Sequence, residues 1–435
     1  MSSFTRRQFL TTSLASAAAG SLLASPASWS APLPSSAQSP LAQAQDEAYW
    51  AQVASQYDVR PGIINVENGN WGIMARPVMQ AYFKHTERVN RDNSYFSRRQ
   101  YWPLLKDIVA SVADRLGANP EEIGLTRGAT EALQNLIGGF NGLTNGDALM
   151  YADLDYAAMQ DAMRTKAAQC GAEVIELAIP EPADHQGLIA FYQAAFARHP
   201  NCKLLLLTHI SHRTGLVMPV KEITAAARER GIAVIVDAAH SWGQMDFGVA
   251  DLGADFIGFN LHKWMGAPLG VGVMYIRQGR LGQIAANMSA SPGQEQSIWG
   301  KFHSGTSNFA AFLSVPDAFA FHDQIGAKAK AARLQYLRNL WVNEVRQLDG
   351  IDILTPQDPH LHAGITSFRI KGHTSSAQNR AIAEYLLAEH QVFCVHRDGI
   401  HNGSCVRITP SLYNSAEDLK LTAKAIAHAV SRFAA

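Results

Sequence analysis

Three short, uninterrupted apolar runs constrain this chain more than any other feature. They are Leu204–Leu207, Ala233–Val236 and Phe256–Phe259, with Val271–Ile276 close behind. Each is too short for a core helix and carries no polar alternation, so each reads as a strand buried on both faces. Between the first two lies Val220–Arg230, a helical stretch ended by Gly231. Strands joined in this way lie parallel, with the connecting helices covering the sheet. The fold class that follows is α/β, with a mostly parallel central sheet covered by helices. A chain of 435 residues exceeds the usual size of one core, so a second unit is expected. From about Ala331 a long helix, the alternating stretches Gly364–Ile370 and Val392–His396, and a helix over Ala416–Phe433 predict a smaller α+β domain.

The rest of the chain divides around these units. Residues 1–44 read as an export signal and linker, 45–75 as an N-terminal arm packing with the small domain, 76–330 as the large domain and 331–435 as the small one. Within the arm, Asp46–Tyr57 reads as a helix and Ile63–Asn70 as an extended segment ending in the turn Asn68-Gly69-Asn70-Trp71-Gly72. At the N-terminus, Thr5-Arg6-Arg7-Gln8-Phe9-Leu10 is a twin-arginine pattern, followed by a mild apolar run from Leu10 to Leu23. That run is too short and too weak for a permanent anchor. Small-residue cleavage sites follow near Ala27 and Ala31 and at Ala42-Gln43-Ala44. Paired arginines, apolar run and small-residue exit stand in the order an export address requires. Twin-arginine export carries folded proteins, so the expected location is the periplasm and the expected first partner the twin-arginine machinery.

Lys and Arg number 37, and Asp and Glu 37. This balance supplies no sequence-independent attraction to nucleic acid or anionic lipid. A small or locally charged substrate fits better. Cys170, Cys202, Cys394 and Cys405 show no zinc-ligand spacing, and four Cys in so long a chain make no disulfide framework, although a single Cys394–Cys405 bridge stays open.

The chemistry concentrates where two strands end. Val234-Ile-Val-Asp237-Ala-Ala-His240 puts a carboxylate at one strand tip, and Phe256–Leu261 followed by His262-Lys263-Trp264 puts an amine just past the next. Ligands of open parallel sheets collect beyond those tips. Alone, such an Asp reads as a turn cap and such a Lys as a surface residue. Together, at adjacent tips, they suit pyridoxal phosphate (PLP), which needs an amine for its aldehyde and a carboxylate to keep its ring nitrogen protonated. The lysine must be neutral to attack, and burial favours that form. A phosphate site lies upstream: Arg127-Gly128-Ala129-Thr130-Glu131 opens a helix, where free N–H groups and the Thr130 hydroxyl face an anion. Ser211 has no nucleophile-elbow context, which argues against a hydrolase. Trp50, Trp71, Trp102, Trp242 and Trp264 read as core, and Arg88, Arg91, Arg98 and Arg99 as a solvated or subunit-interface face rather than an anion receiver.

Gly128–Ala132, Asp237–His240 and His262–Trp264 together resemble the class V aminotransferases, PLP enzymes of fold type I, over about Asn68 to Tyr413. The resemblance implies a Schiff base on Lys263, Asp237 at the pyridinium nitrogen, and Ala129, Thr130 and His262 at the phosphate. It further implies His212 and His240 near the ring's phenolic oxygen, Tyr156 stacked on the ring, and Arg407 binding a substrate carboxylate. His212 departs from the family's usual Asn, and Tyr156 from a His in desulfurase-type relatives. Ser304-Gly305-Thr306 resembles the loop that reaches the phosphate of a neighbouring subunit, which implies a homodimer. His262–Pro268 and Asn90–Arg99 are most similar to the isopenicillin N epimerase-like branch. With a twin-arginine signal, that branch resembles periplasmic enzymes of pyoverdine siderophore maturation, which act on a glutamate to give a succinamide or an α-keto acid. A desulfurase, which would need a mobile Cys, and a siderophore carrier that keeps the fold without turnover are the competing readings.

Overall fold

The computed structural model describes residues 33, 34 and 36–434. The twin-arginine pattern, the apolar run behind it and the small-residue sites near Ala27 and Ala31 lie outside the described residues. Ala42-Gln43-Ala44 lies inside them, in the short helix Pro40–Ala44. There Trp50 Nε1 donates to the Gln43 carbonyl at 2.7 Å and Arg333 donates to that of Ala44 at 2.9 Å. The end of the expected leader is thus tied into the folded body, with Gln43 and Ala44 buried.

The arm continues through the helix Glu47–Ala54, capped by the Asp46 carboxylate, to β1 (Ile64–Asn65). The large domain then supplies β2 (Ile123–Thr126), β3 (Ala148–Ala152), β4 (Glu173–Leu177), β5 (Cys202–Thr208), β6 (Ala233–Ala238), β7 (Phe256–Asn260) and β8 (Gly272–Ile276). They form one sheet in the order β2-β8-β7-β6-β5-β3-β4. Only β8 runs against its neighbours, and every other pairing is parallel. The four apolar runs of the sequence are β5 to β8, and each residue from Val234 to Ala238 and from Phe256 to Asn260 is buried. Helix Val220–Glu229 makes the crossover between β5 and β6, and Gly231 follows it with the positive φ of a helix stop.

The long helix expected from about Ala331 runs over Ala327–Val345, after Gly326. Its strands are β9 (Ile351–Ile353), β10 (Thr366–Ile370), β11 (Val392–Phe393), β12 (Val395–Arg397) and β13 (Cys405–Ile408). β12-β13-β10-β9 make an antiparallel sheet. Trp341, Phe368 and Ile426 close its core against the helices Ala327–Val345 and Ala416–Phe433. β1 pairs in parallel with β11, and Glu67 bridges to Thr409 just after β13. The arm therefore runs along the small domain and delivers residues 67–72 to the tips of the large sheet.

The expectation that all five tryptophans are core needs amendment. Trp50, Trp242 and Trp264 are core, but Trp71 and Trp102 are more than half exposed. Trp71 sits on the arm's turn at the mouth of a cleft, and Trp102 packs edge-on against Trp299, so neither is enclosed by the sheet. All four cysteines are free. Among the described residues no helix is long and apolar enough to cross a membrane.

Candidate active site

β6 and β7 lie side by side with Asp237 opposite Gly258, so the carboxylate and the lysine that follows β7 reach the same end of the sheet. They line one cavity of about 600 Å³ together with Thr130, Tyr156, His212 and Arg407. The Lys263 loop is braced from the arm. Gly72 N–H donates to the His262 carbonyl at 2.8 Å, and a Cβ at Gly72 would come within 1.8 Å of the Lys263 carbonyl oxygen. Only glycine permits that approach, which explains the glycine-rich turn read in the sequence.

Lys263 Nζ lies 3.1 Å from the Gly69 carbonyl and 2.9 Å from His240 Nε2. Trp264 Nε1 donates to His240 Nδ1 at 3.4 Å. An indole N–H can only donate, so Nδ1 must accept and the His240 proton must sit on Nε2. Nε2–H then faces Lys263, whose nitrogen can accept only as a neutral amine. The electrostatics agree. Burial, followed by the charges of Arg407 and Arg397, lowers the lysine pKa to about 7, against the opposing pull of Asp237 and Glu67. Burial likewise holds His240 and His212 well below the ordinary histidine range, so both are neutral.

Asp237 is buried, and one of its oxygens accepts from Ala239 N–H at 2.9 Å. Burial raises its pKa, with Lys263 pulling the other way. A second acid, missed in the sequence, stands behind it. Asp155 accepts from Thr208 N–H at 2.9 Å and from the Thr208 hydroxyl at 2.5 Å, and burial pushes its pKa up to about 7. Its signal was present as the acid beside Tyr156, which was read only for stacking.

At the phosphate turn, Asn260 Oδ1 accepts from Ala129 N–H at 2.7 Å and so fixes the start of helix Ala129–Gly139 to the end of β7. The helix ladder begins only with Ala132 N–H to the Gly128 carbonyl, which leaves the N–H groups of Thr130 and Glu131 ahead of it. His262 lines the same end of the cavity, its Nδ1 2.9 Å from the Val271 carbonyl, which leaves Nε2 for a ligand. Helix end, carboxylate and neutral amine are the three elements that PLP requires, and the donor set fits the group. Tyr156 is 43% exposed and meets the His212 ring edge-on at 5.3 Å. Arg407 reaches the cavity but is engaged by Glu67, a residue the sequence reading did not single out. Thr306 is exposed and does not line the cavity of its own chain. Arg88, Arg91, Arg98 and Arg99 also lie outside it.

Comparison with known proteins agrees with this architecture. The family described as Aminotransferase class-V matches residues 76–421. The isopenicillin N epimerase of Streptomyces clavuligerus is 25% identical over 397 residues, covering 87% of this chain and 98% of that protein. A probable cysteine desulfurase of Vibrio cholerae is 28% identical over 364 residues, covering 80% and 88%. Among solved structures, the cysteine desulfurase CsdA of Escherichia coli superposes with a TM-score of 0.74 at 19% identity, covering 88% of this chain and 98% of that one. A C-DES mutant with glycine covalently linked to its PLP cofactor gives 0.71 at 21% identity, covering 87% and 98%. By sequence and by fold, this chain belongs to the class V aminotransferase family and is a PLP-dependent enzyme.

Proposed function

We propose that the enzyme acts in the periplasm on a primary amine that carries a carboxylate, and that its substrate is the glutamate of a pyoverdine siderophore, converted to the succinamide form by an oxidative decarboxylation that consumes dioxygen and releases carbon dioxide and water. The observation that carries the first half is the pairing of the neutral Lys263 amine with the Arg407 guanidinium at one cavity. An amine-handling group and a carboxylate-holding group together select amino-acid-type substrates. Bound PLP supplies an aldehyde for amines and a ring that accepts electrons. Lys263 Nζ would take and return the proton on the substrate carbon beside nitrogen. Before the cofactor is taken up, His240 Nε2 faces the Lys263 amine and favours its neutral form, and the Asp237 carboxylate would pair with the protonated ring nitrogen of bound PLP.

The siderophore and export readings are supported by the twin-arginine pattern, the likeness of His262–Pro268 and Asn90–Arg99 to the epimerase-like branch, and the cleft of about 1150 Å³ that adjoins the cavity at Asn70 and Arg397. We place the Ser304–Thr306 loop at the phosphate of a second subunit, in a homodimer. The isopenicillin N epimerase relatives favour a second reading, inversion at the same carbon, and transamination to the α-keto form uses the same groups. The desulfurase reading lacks support from the thiols. Cys394 and Cys405 are buried, and burial raises both pKa values, that of Cys405 to about 11.

The test compares siderophore mass spectra from strains with and without the enzyme. Loss of the succinamide form with accumulation of the glutamate form is expected, and an unchanged spectrum contradicts the reading. Changing Arg6 and Arg7 both to Lys is expected to trap folded protein in the cytoplasm. A normal periplasmic yield would remove the export reading.

A further inference from the structure

Glu67 arrives from the N-terminal arm and stands between two guanidinium groups; it lines the outer cleft, whereas Arg407 lines the cavity and Arg397 lines both. Both of its oxygens lie 2.7 Å from Arg407 Nη2, and one lies 3.2 Å from Arg397 Nη2. Arg407 Nη1 donates to the His212 carbonyl at 2.6 Å. The Nε–H groups of both arginines are buried and have no partner. A Cβ at Gly69 would meet the Arg407 guanidinium at 2.5 Å, so the arm presses against this group with no room for a side chain. The Arg407 side chain is 1% exposed and that of Glu67 7%, whereas Arg397, at 28%, faces both the cavity and the outer cleft.

A cation as buried as Arg407 is costly without a counter-charge, and Glu67 supplies it in the substrate-free site. The same pairing occupies Arg407 Nη2, so an incoming carboxylate must compete with Glu67 for the guanidinium. Two guanidiniums and one carboxylate leave a single net positive charge for a ligand. Moving Glu67 fully onto Arg397, which it already touches, frees the Arg407 fork, and the unpartnered Nε–H groups can then be filled on both arginines.

We propose that Glu67 is a specificity-determining residue: it is handed from Arg407 to Arg397 when substrate binds, so the site accepts one substrate carboxylate and disfavours a second. This rests on Arg407 receiving the substrate carboxylate in the reading above, and it narrows the substrate class to amines that present one free carboxylate at this end. Glu67 acts through the arginines.

The test uses the PLP-loaded enzyme and two amine-free probes, butyrate with one carboxylate and glutarate with two, titrated by calorimetry. Glu67→Gln leaves Arg397 unpaired and is expected to shift the glutarate-to-butyrate affinity ratio toward glutarate by about tenfold, the size of a charge-assisted hydrogen bond. Arg397→Gln removes the receiving group, keeps Glu67 on Arg407, and is expected to weaken butyrate by about tenfold. A ratio unchanged in Glu67→Gln, or, should that variant not fold, butyrate binding unchanged in Arg397→Gln, overturns the handover. Normal PLP uptake with either null result defeats only the role of Glu67. Failure of the wild-type protein to take up PLP defeats the proposed function with it.

Discussion

At Lys263, burial and the charges of Arg407 and Arg397 outweigh the pull of Asp237 and Glu67, so the free amine titrates at about 7 instead of 10.5. Only the neutral amine attacks an aldehyde, so PLP uptake by the cofactor-free enzyme should rise with pH through a midpoint near 7. Stopped-flow absorbance checks this, and a midpoint near 10 would contradict the burial of the amine. Arg407→Gln removes the leading charge that lowers the pKa and should move the midpoint up. Trp264→Phe tests the tautomer argument. Without the indole donor, His240 Nδ1 can carry the proton and Nε2 can accept from a lysine ammonium, which stabilises the charged form. Uptake near neutral pH should slow about threefold, because one hydrogen bond of about 1 kcal/mol raises the lysine pKa by about 0.7 unit. Unchanged uptake would mean that Trp264 does not pin the ring.

At the level of elements, the helix Ala327–Val345 reaches back to the lysine loop through Lys330, whose Nζ donates to the Trp264 carbonyl at 2.9 Å. Burial alone lowers its pKa from 10.5 to about 7. Between those values the unfolded chain holds a proton that the folded chain has shed, so stability rises with pH across the window, and below it the full penalty remains. Lys330→Met should flatten the rise by about 1.4 kcal/mol per pH unit, measured by denaturant unfolding at about pH 8 and about pH 9. Equal slopes in the two proteins would show that Lys330 keeps its proton when folded. Elements of this kind separate what was legible in the sequence from what was not. β5 to β8 and the helix Ala416–Phe433 announced themselves through local pattern, and Asp237 and Lys263 could be paired because their strands are consecutive and parallel. Glu67 could not be found that way. It reaches Arg407, 340 positions later, only because the arm pairs with the small domain. The helix Pro40–Ala44 was hidden too, because its Ala-rich composition matches the leader before it and only contacts with Trp50 and Arg333 distinguish it.

In the whole molecule, the large sheet brings Lys263, Asp237 and Thr130 to the cavity, while the arm brings Gly69 and Asn70 and the small domain brings Arg397 and Arg407. Thr306, exposed on its own chain, is proposed to complete the phosphate site of a second copy. Sedimentation should therefore show two chains in the PLP-loaded state, and a monomer that retains PLP would remove Thr306 from the site. Both domains turn on one lysine, although a second buried lysine of similarly lowered pKa, Lys330, lies behind the same loop. Borohydride reduction of the PLP-loaded enzyme, followed by peptide mass spectrometry, distinguishes them. A phosphopyridoxyl group on Lys263, lost with Lys263→Ala, is the predicted result; the group on Lys330, on another lysine or nowhere would contradict the account.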